Sequence, residues 1–599
     1  MRPARRARPR PQADLVPLAT SRLSFAARLS LLLGAAAVLL LTAAGAPPLE
    51  RAEIYFVDGA RSMVERGDSV VPYHRGERFF DKPPLAYWLI AAAFRALGFS
   101  LEAARLVPAL AALAAILASV WMGALLLDRE TGLLGGLVLA TTGIFVSFGR
   151  MAMSDMLLTL ASTAAVASAV ALLDAPASRR SAYSALLAAA LGLGFLAKGP
   201  VALLLPGLGV LALAWTRRQQ MRGIAGHSIA LGVLAFLGVV LPWFVLVQLR
   251  VGWQPIGYFF LHENLERFAG ETYDSSRSAL YYLAVYGVEG LPWSLLLPLA
   301  LWRLRREPRA DSESSGGAAL LALWIGLMLV PLSLSRGKID YYLLPAYPPA
   351  SLLVARVLRS SRTRSEALWM RTLLVVTAGA VMLAPSAWAG LPGSFLPTGR
   401  LLGVVRVGCW ALSAALLFGA SRFSLARFTG LIAAASAASS LAVTGLFVPA
   451  LRRAQPNTAI VADVVRERSF RPDLRLVYCE DPTRVERDLL FEARLASLQR
   501  CDLWAPAASR FPFLLLVPER QRETLGVATR FVGEYRYVPA SVSSLPTLFA
   551  GVRDESLVLL ANYSTRDPEA DLRMRKDRKR RVRERERLEA GGSRENAVP

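Results

Sequence analysis

Long apolar runs recur through most of this chain and constrain its fold more than any other feature. They lie between Leu29 and Val448, and a run of about 18 or more apolar residues is long enough to cross roughly 30 Å of hydrocarbon as a helix. Hydrophobic residues make up 54% of the 599 residues, more than a water-soluble domain normally carries. The sequence therefore predicts an α-helical polytopic membrane protein.

The amino-terminal segment, residues 1–26, is basic and leads into an apolar run at residues 29–46. That run is long for the hydrophobic region of a signal peptide, and its small-residue site is followed directly by Pro47, which hinders cleavage. We therefore predict an uncleaved first helix whose amino end lies in the cytoplasm.

The distribution of arginine predicts the topology, because short cytoplasmic loops collect Lys and Arg. A count of about 13 spanning helices within residues 27–450 places the arginine-bearing loops on the cytoplasmic side. These loops are residues 128–132, 178–181, 216–223, 303–309, 359–364 and 421–427. The count requires that residues 83–98 do not cross, so we expect them to form a short interfacial helix that starts with two prolines.

The same count places four chemically unusual loops on the outer side. They are residues 48–83, 149–155, 250–290 and 335–342, and they carry acidic and basic side chains at the ends of apolar runs. A transporter would instead carry ionisable or helix-breaking residues at mid-membrane in paired halves. The pattern favours an enzyme that works at the outer surface, with a transporter as the alternative.

Residues 451–565 differ in character from the apolar region. Apolar runs of strand length, 474–479, 513–518 and 556–563, alternate with a helical pattern at 488–500. This alternation predicts a small C-terminal α/β domain, which an odd number of crossings places in the periplasm.

Two further features lie near the carboxyl end. Cys479 and Cys501 could pair in an oxidising periplasm. Residues 566–599 form a basic tail that supplies much of the net charge of +24, and we expect this tail to be disordered and to bind anionic lipid headgroups. Nucleic acid is not an expected partner of a tail on the outer face.

Five stretches together resemble a known family and occur in its order. They are DGARSMVERGDSVVPYHRGERFFDKPPLAYWL (58–89), AARLVPAL (103–110), AKGPVALLLPG (197–207), YFFLHENLERF (258–268) and SRGKIDYYLLPAYPP (335–349). The chain resembles bacterial glycosyltransferases of the GT-C type, in particular the lipid A aminoarabinose transferases, which are related to protein O-mannosyltransferases. The resemblance implies a polyprenyl-phosphate-linked sugar as donor and a glycolipid or other envelope acceptor. It also implies inversion at the anomeric carbon and an active site that faces the periplasm from the bacterial inner membrane.

The resemblance assigns residues to the donor phosphate. Lys82 is expected to neutralise the phosphate as it leaves the sugar, with a lysine that only extends to the interface as the alternative. Arg267 is expected to meet the same phosphate. Lys338 and Tyr342 either contact it or anchor the interface. Asp81 matches a family acid and either orients Lys82, holds a metal or is solvated.

The family's catalytic Asp-Glu pair falls on Ala52 and Glu53, so the expected aspartate is missing. Three explanations follow: Glu53 accepts the proton of the acceptor hydroxyl, the loop is realigned so that Glu50 or Asp58 serves, or the protein binds lipid-linked sugar without catalysis. We favour Glu53, with Asp58 second. Asp155 matches a family acid of the same cavity, with a helix N-cap as the alternative.

The stretch HENLERF supplies candidates for substrate contacts. His262, Glu263 and Asn264 could bind sugar hydroxyls or a metal, and Asp81 and His262 are the weak metal candidates. A divalent metal is a possible cofactor, and the sequence requires no other. Lys198, at an outer helix end, is expected to extend towards the interface.

Overall fold

The structure is a computed structural model. It describes residues 23–42, 44, 51–74, 76–221, 224–266, 277–306, 313–360, 368–373, 375–377, 379, 399–421, 425–442, 457–470, 475–478, 498–500, 513–518, 530–537 and 555–561. The chain divides into two compact units, Met1–Trp388 with Pro397–Val448 and Ala389–Leu396 with Pro449–Pro599.

The first unit is helical apart from one short hairpin. Its first half contains α1 (Phe25–Leu41), α2 (Arg51–Arg66), β1 (Tyr73–His74), β2 (Glu77–Arg78), α3 (Leu85–Leu97), α4 (Leu101–Leu126), α5 (Arg129–Ala140), α6 (Gly143–Phe148), α7 (Asp155–Asp174) and α8 (Ala177–Lys198). Its second half contains α9 (Val201–Thr216), α10 (Arg218–Met221), α11 (Gly226–Val251), α12 (Gln254–Phe260), α13 (Tyr281–Glu289), α14 (Leu297–Arg306), α15 (Glu313–Leu334), α16 (Tyr347–Ser360), α17 (Gly399–Ser421) and α18 (Leu425–Ala442). A π-helix (Leu261–Glu266) follows α12, and 3₁₀ turns (Trp293–Leu296 and Asp340–Ala346) precede α14 and α16.

Several helices are long and apolar enough to cross a membrane. Within the described ranges these are α4, α7, α8, α11 and most of α15, and a sixth crossing results if α13 and residues Trp293–Arg306, bent by 114°, form one broken span. Large apolar side chains of α11, such as Leu234 and Leu249, are exposed, as expected for a surface that faces lipid. The predicted α-helical polytopic membrane architecture is confirmed, whereas the count of about 13 spans stays a prediction.

The predicted outer loop 48–83 contains regular structure. Residues 51–66 form α2 because buried positions recur three and four residues apart, at Phe56, Ala60 and Met63. The chain then makes the antiparallel hairpin of β1 and β2, in which His74 is opposite Glu77. Sequence reasoning missed this helix because its polar residues resemble those of a loop.

The helix predicted over residues 83–98 runs from Leu85 to Leu97 and packs on α2 and α4. It follows the two prolines and ends at Gly98, which has a φ of 83°. Its bounds therefore agree closely with the prediction, while its position at the membrane interface stays a prediction.

The described part of the second unit consists of α19 (Asn457–Phe470) and five strands. These are β3 (Arg475–Tyr478), β4 (Leu498–Arg500), β5 (Phe513–Pro518), β6 (Arg530–Tyr537) and β7 (Glu555–Ala561). The strands form one mixed sheet in the order β4-β3-β5-β7-β6, with β3 parallel to β4 and β5 and with antiparallel β5/β7 and β6/β7 pairs. Leu514 and Leu516 are buried, as alternation along β5 requires. Residues 498–500, the end of the predicted helix 488–500, form β4 and not a helix, because they pair with β3. The rest of that predicted helix, both cysteines and the basic tail lie outside the described residues.

Candidate active site

A cavity of about 550 Å³ lies where several helix ends of the first unit meet. Its polar lining consists of Asp81, Lys82, Lys198, Glu263, Asn264, Ser335 and Tyr342. Its apolar lining includes Leu158 of α7, Leu204 of α9, Phe259 and Phe260 of α12, and Leu332 of α15. The volume is in the range of about 300–1,000 Å³ typical of small-molecule sites.

Lys82 lies at the wall of this cavity on the loop before α3. Its ammonium donates to the backbone carbonyl of Asp81 at 2.7 Å and to Oε2 of Glu263 at 3.0 Å. The Glu263 side chain is 5% exposed and that of Lys82 20%, so the carboxylate is the more enclosed member of the pair. The predicted residues Lys82, Asp81 and Glu263 are therefore brought together.

Glu263 is carried by the π-helix Leu261–Glu266. Single turns of π-helix occur often at functional sites, because the extra residue per turn redirects side chains. Asn264, the next residue, also lines the cavity and donates from its amide to the carbonyl of Phe259 at 2.7 Å.

A second lysine reaches the cavity from a sharp break between α8 and α9. Gly199 follows Lys198 with a φ of 76°, and a Cβ there would lie 2.4 Å from Cζ of Phe259, so this position requires glycine. Pro200 then precedes the first residue of α9. The break ends α8 at the cavity and directs Lys198 into it.

Lys198 forms a buried ion pair with Asp155, the first residue of α7. Its ammonium also lies 4.8 Å from the ring centroid of Tyr342 and 5.1 Å from that of Tyr341, a cation–π arrangement. The expectation that Lys198 extends to the interface is wrong, because the carboxylate and the two rings hold its charge inside the protein. Ser154 precedes α7 without a side-chain capping bond, and the carboxylate of Asp155 binds a lysine.

Glu53 lies outside the cavity lining, in a buried ion pair. Its Oε1 accepts from Nε of Arg105 at 2.9 Å and from the backbone N–H of Ala152 at 2.7 Å, and its Oε2 accepts from Nη2 of Arg105 at 2.8 Å. Arg105 also donates to the carbonyl of Ala44 at 2.8 Å. The pair ties α2 to α4 and to the segment before α7.

Asp58, five residues further along α2, pairs with a histidine that sequence reasoning did not select. Nδ1 of His74 and Oδ2 of Asp58 are 2.8 Å apart. The imidazole also contacts the rings of Tyr55 and Phe79, with centroid distances of 4.9 and 5.4 Å.

The remaining predicted residues lie in the cavity lining, elsewhere in the first unit, or outside the described residues. Tyr342 lines the cavity, whereas the buried Lys338 donates from its ammonium to the carbonyl of Ser335 at 2.6 Å. His262 pairs with Glu266 and lies outside the cavity lining. Arg267 and Glu50 lie outside the described residues. Within the described part of the chain, no cluster of three or more His, Cys, Asp or Glu side chains is arranged to hold a metal.

The sequence carries signals for Arg105, which was missed, and for Lys198, whose environment was wrongly predicted. Arg105 is an ionisable residue near the start of an apolar helix, and such residues are typically paired. Lys198 precedes Gly-Pro, which ends one apolar helix and begins another and thereby marks a break between them. His74 carries no comparable signal, because its partner Asp58 is 16 residues away and the strand that carries His74 has only two residues.

The sequence of this chain matches one protein-family model and several glycosyltransferase relatives. The family model described as dolichyl-phosphate-mannose-protein mannosyltransferase matches residues 81–244. An undecaprenyl phosphate-alpha-4-amino-4-deoxy-L-arabinose arabinosyl transferase of Pseudomonas paraeruginosa is 35% identical over 347 residues, which are 57% of this chain and 61% of that protein. The transferase of the same name from Edwardsiella ictaluri is 30% identical over 379 residues, which are 61% of this chain and 67% of that protein.

The fold also matches a solved structure. The crystal structure of ArnT from Cupriavidus metallidurans bound to undecaprenyl phosphate has a TM-score of 0.70 at 20% sequence identity, covering 90% of this chain and 99% of that one. The helical bundle is thus the fold of a GT-C type membrane protein. Sequence identity to the two relatives identifies the family within this fold. The chain belongs to the family of undecaprenyl phosphate-aminoarabinose arabinosyl transferases. The match with the first of these relatives spans about 61% of that relative's length.

Proposed function

We propose that the protein is a glycosyltransferase that moves a sugar from a polyprenyl-phosphate donor to a lipid A-like glycolipid or another envelope acceptor. The reaction takes place at the periplasmic face of the bacterial inner membrane and inverts the anomeric carbon. One observation carries the proposal: a cavity at the helix ends combines two lysines with apolar lining residues that are partly exposed.

The lysines suit the charged part of the donor. Breaking the bond between the anomeric carbon and the phosphate oxygen leaves negative charge on the phosphate, and a nearby cation stabilises that charge. Lys82 serves this role by exchanging its contact with Glu263 for the phosphate. Lys198 adds a second positive charge, which Asp155 and the two tyrosine rings keep in position.

The apolar lining suits the lipid part of the donor. Leu204 and Phe260 line the cavity and are 45% and 37% exposed. An isoprenoid chain lying along these side chains would stay in the bilayer while its phosphate reaches Lys82. A water-soluble nucleotide sugar has no group that matches this surface.

The other candidate residues take supporting roles in this proposal. Asn264, Asp81 and Tyr342 line the cavity and can contact the sugar or phosphate. Glu53 positions α2 through Arg105 and Ala152. Arg267 and Lys338 remain proposed phosphate contacts, and His262 a proposed substrate contact.

The test uses purified protein in proteoliposomes that contain a radiolabelled polyprenyl-phosphate sugar and an envelope lipid extract. Lys82→Ala should lower turnover by about 10²–10³, the range seen when one group that stabilises developing negative charge is removed. Arg250→Ala removes another outer cation, one that pairs with Asp68 at the protein surface, and should leave turnover unchanged.

Two outcomes would oppose the proposal in different ways. Near wild-type turnover of Lys82→Ala would exclude this lysine as the phosphate partner. A wild-type protein that binds the labelled lipid and transfers no sugar would instead support the non-catalytic alternative, which the alanine at position 52 raises.

A further inference from the structure

Glu289 places a carboxylate at the bend of a broken helix. It is the last residue of α13, and the chain turns by 114° before residues Trp293–Arg306 continue. Its Oε2 is buried and accepts no hydrogen bond from any residue that the structure describes. Buried polar atoms normally have a partner, and ionisable residues at breaks in the helices of membrane proteins commonly mark binding sites.

A second polar atom without a partner lies beside this bend. Tyr347, the first residue of α16, is 2% exposed, and within the described ranges its hydroxyl makes no hydrogen bond. A Cβ on Gly290, the residue after Glu289, would be 3.3 Å from Cε1 of Tyr347, which is bonded to the carbon that carries the hydroxyl. The two oxygens therefore belong to one corner of the bundle.

This corner is negatively charged. The carboxylate of Asp340, at the start of the 3₁₀ turn before α16, interacts electrostatically with Glu289 and Tyr347. Neither carboxylate forms an ion pair with a described residue, and the nearby Arg277 donates instead to the carbonyl of Lys338 at 2.9 Å. Glu289 also lies at the carboxyl end of α13, where the helix dipole disfavours a negative charge and favours a cation.

The chemistry of the corner suits an ammonium group better than a divalent metal ion. Mg²⁺ and Ca²⁺ take about six or more oxygen ligands, more than one carboxylate and one hydroxyl supply. A primary ammonium has three N–H donors, which match the oxygens of Glu289 and Tyr347. The rings of Tyr286 and Tyr347, with centroids 5.3 Å apart, add aromatic faces of the kind that attract organic cations.

Exposed apolar side chains beside the corner indicate that it is reached from lipid. Val288 and Leu291, on either side of Glu289 and Gly290, are 66% and 44% exposed, as expected for a surface that faces the bilayer. We propose that Glu289 and Tyr347, assisted by the negative potential of Asp340, bind a primary ammonium group carried by a membrane lipid. Neither Glu289 nor Tyr347 lines the cavity of Lys82, so this site is independent of the proposed transfer reaction.

The test measures lipid binding to the purified full-length protein in detergent by native mass spectrometry. The probes are short-chain phosphatidylethanolamine, phosphatidylcholine, which has the same net charge but no N–H donor, and N-acetyl phosphatidylethanolamine, which has no charged amine. Wild type should bind phosphatidylethanolamine about 10- to 100-fold more tightly than the other two lipids, the effect of a hydrogen bond to a charged group.

Two variants locate the binding at this corner. Glu289→Gln keeps the size of the side chain but removes its charge, and it should abolish the preference for phosphatidylethanolamine. Tyr347→Phe should weaken the preference by about 2- to 10-fold, because one neutral hydrogen bond is lost. The matched control is Glu65→Gln, which removes a half-exposed carboxylate of α2 and should keep the wild-type preference.

Two classes of lipid carry such an amine, a phospholipid and a polyprenyl phosphate with an amino sugar. The second is therefore added as a competitor. If it displaces phosphatidylethanolamine from wild type, the sugar lipid also occupies the ammonium site. If it does not, the site is selective for the phospholipid headgroup.

Equal affinity of wild type for the three phospholipids would overturn the proposal, and so would a preference that persists in Glu289→Gln. If Glu289→Gln does not fold, the wild-type series and Tyr347→Phe decide the question. The readout is binding, so a negative result leaves the proposed transferase function standing. An inactive wild type in the transfer assay would likewise leave this site standing.

Discussion

Glu53 and Arg105 form a charged pair inside a helical bundle, away from the cavity. Two hydrogen bonds join the carboxylate to the guanidinium, and both side chains are almost fully buried. Burying charges is costly, and removal of one partner leaves the other uncompensated. At the residue scale, the pair is therefore a requirement for the local fold of α2 rather than a reactive group.

Glu53→Gln should consequently lower the stability of the protein, by about 3–5 kcal/mol if this pair behaves as other buried pairs do. The measurement is the thermal unfolding midpoint of the protein in detergent. Glu65→Gln is the control, since Glu65 pairs with Arg61 on the same helix but is half-exposed, and its midpoint should change little. An unchanged midpoint for Glu53→Gln would show that the pair does not hold α2 in place.

Individual residues differ in how far the sequence predicts them. The position of Lys82 follows from a local pattern, a charge next to two prolines at the start of an apolar run, and its expected role follows from the family resemblance. The Asp58–His74 and Glu53–Arg105 pairs join residues 16 and 52 positions apart, and helix packing alone brings such partners together. Lys198 was assigned the wrong environment because its partner, Asp155, is 43 positions away.

At the scale of elements, α2 and α3 cross at a glycine. A Cβ at Gly59 would lie 2.6 Å from Cε1 of Tyr87, whose ring is fully buried. The close approach brings α3, and the Lys82 loop before it, against α2. Gly59 thus fixes the distance between the element that carries Asp58 and the element that follows Lys82.

Gly59→Ala should destabilise this crossing by about 1–3 kcal/mol, the usual cost of inserting a methyl group into a packed core. The unfolding midpoint should fall and turnover should fall with it, because the displaced Tyr87 ring shifts α3. Gly34→Ala is a matched control on α1, where a Cβ would have no atom within 4 Å. If both variants melt at the wild-type midpoint, the Tyr87 ring has room to move and the crossing does not depend on glycine.

The elements themselves were partly predictable. Apolar runs indicated α4, α7, α8 and α11, and the two prolines indicated the start of α3. The π-helix at Leu261–Glu266 was not predictable, because one extra residue in a turn leaves no mark in hydrophobic periodicity. The 114° bend before α14 likewise depends on packing rather than on composition.

At the scale of the whole molecule, the arginine-bearing loops make a prediction about sidedness. They place residue 460, within α19, on the periplasmic side, since cytoplasmic loops collect Lys and Arg. Alkaline phosphatase fused at residue 460 should be enzymatically active, whereas green fluorescent protein fused at the same residue should not fluoresce. A control fusion at residue 308, in an arginine-bearing loop, should give the reverse pair of signals. Fluorescence at both sites would refute the count of about 13 spans.

The exposed apolar residues Leu204 and Phe260 in the cavity lining have a consequence for the kinetics of the proposed reaction. A cavity of about 550 Å³ can enclose a sugar phosphate but not a long isoprenoid tail, so the donor would arrive by lateral diffusion within one leaflet. Encounter is then two-dimensional, and the meaningful concentration is the mole fraction of donor among the surrounding lipids. Adding inert phospholipid at constant bulk donor would slow the reaction by surface dilution, although nothing in the aqueous phase had changed.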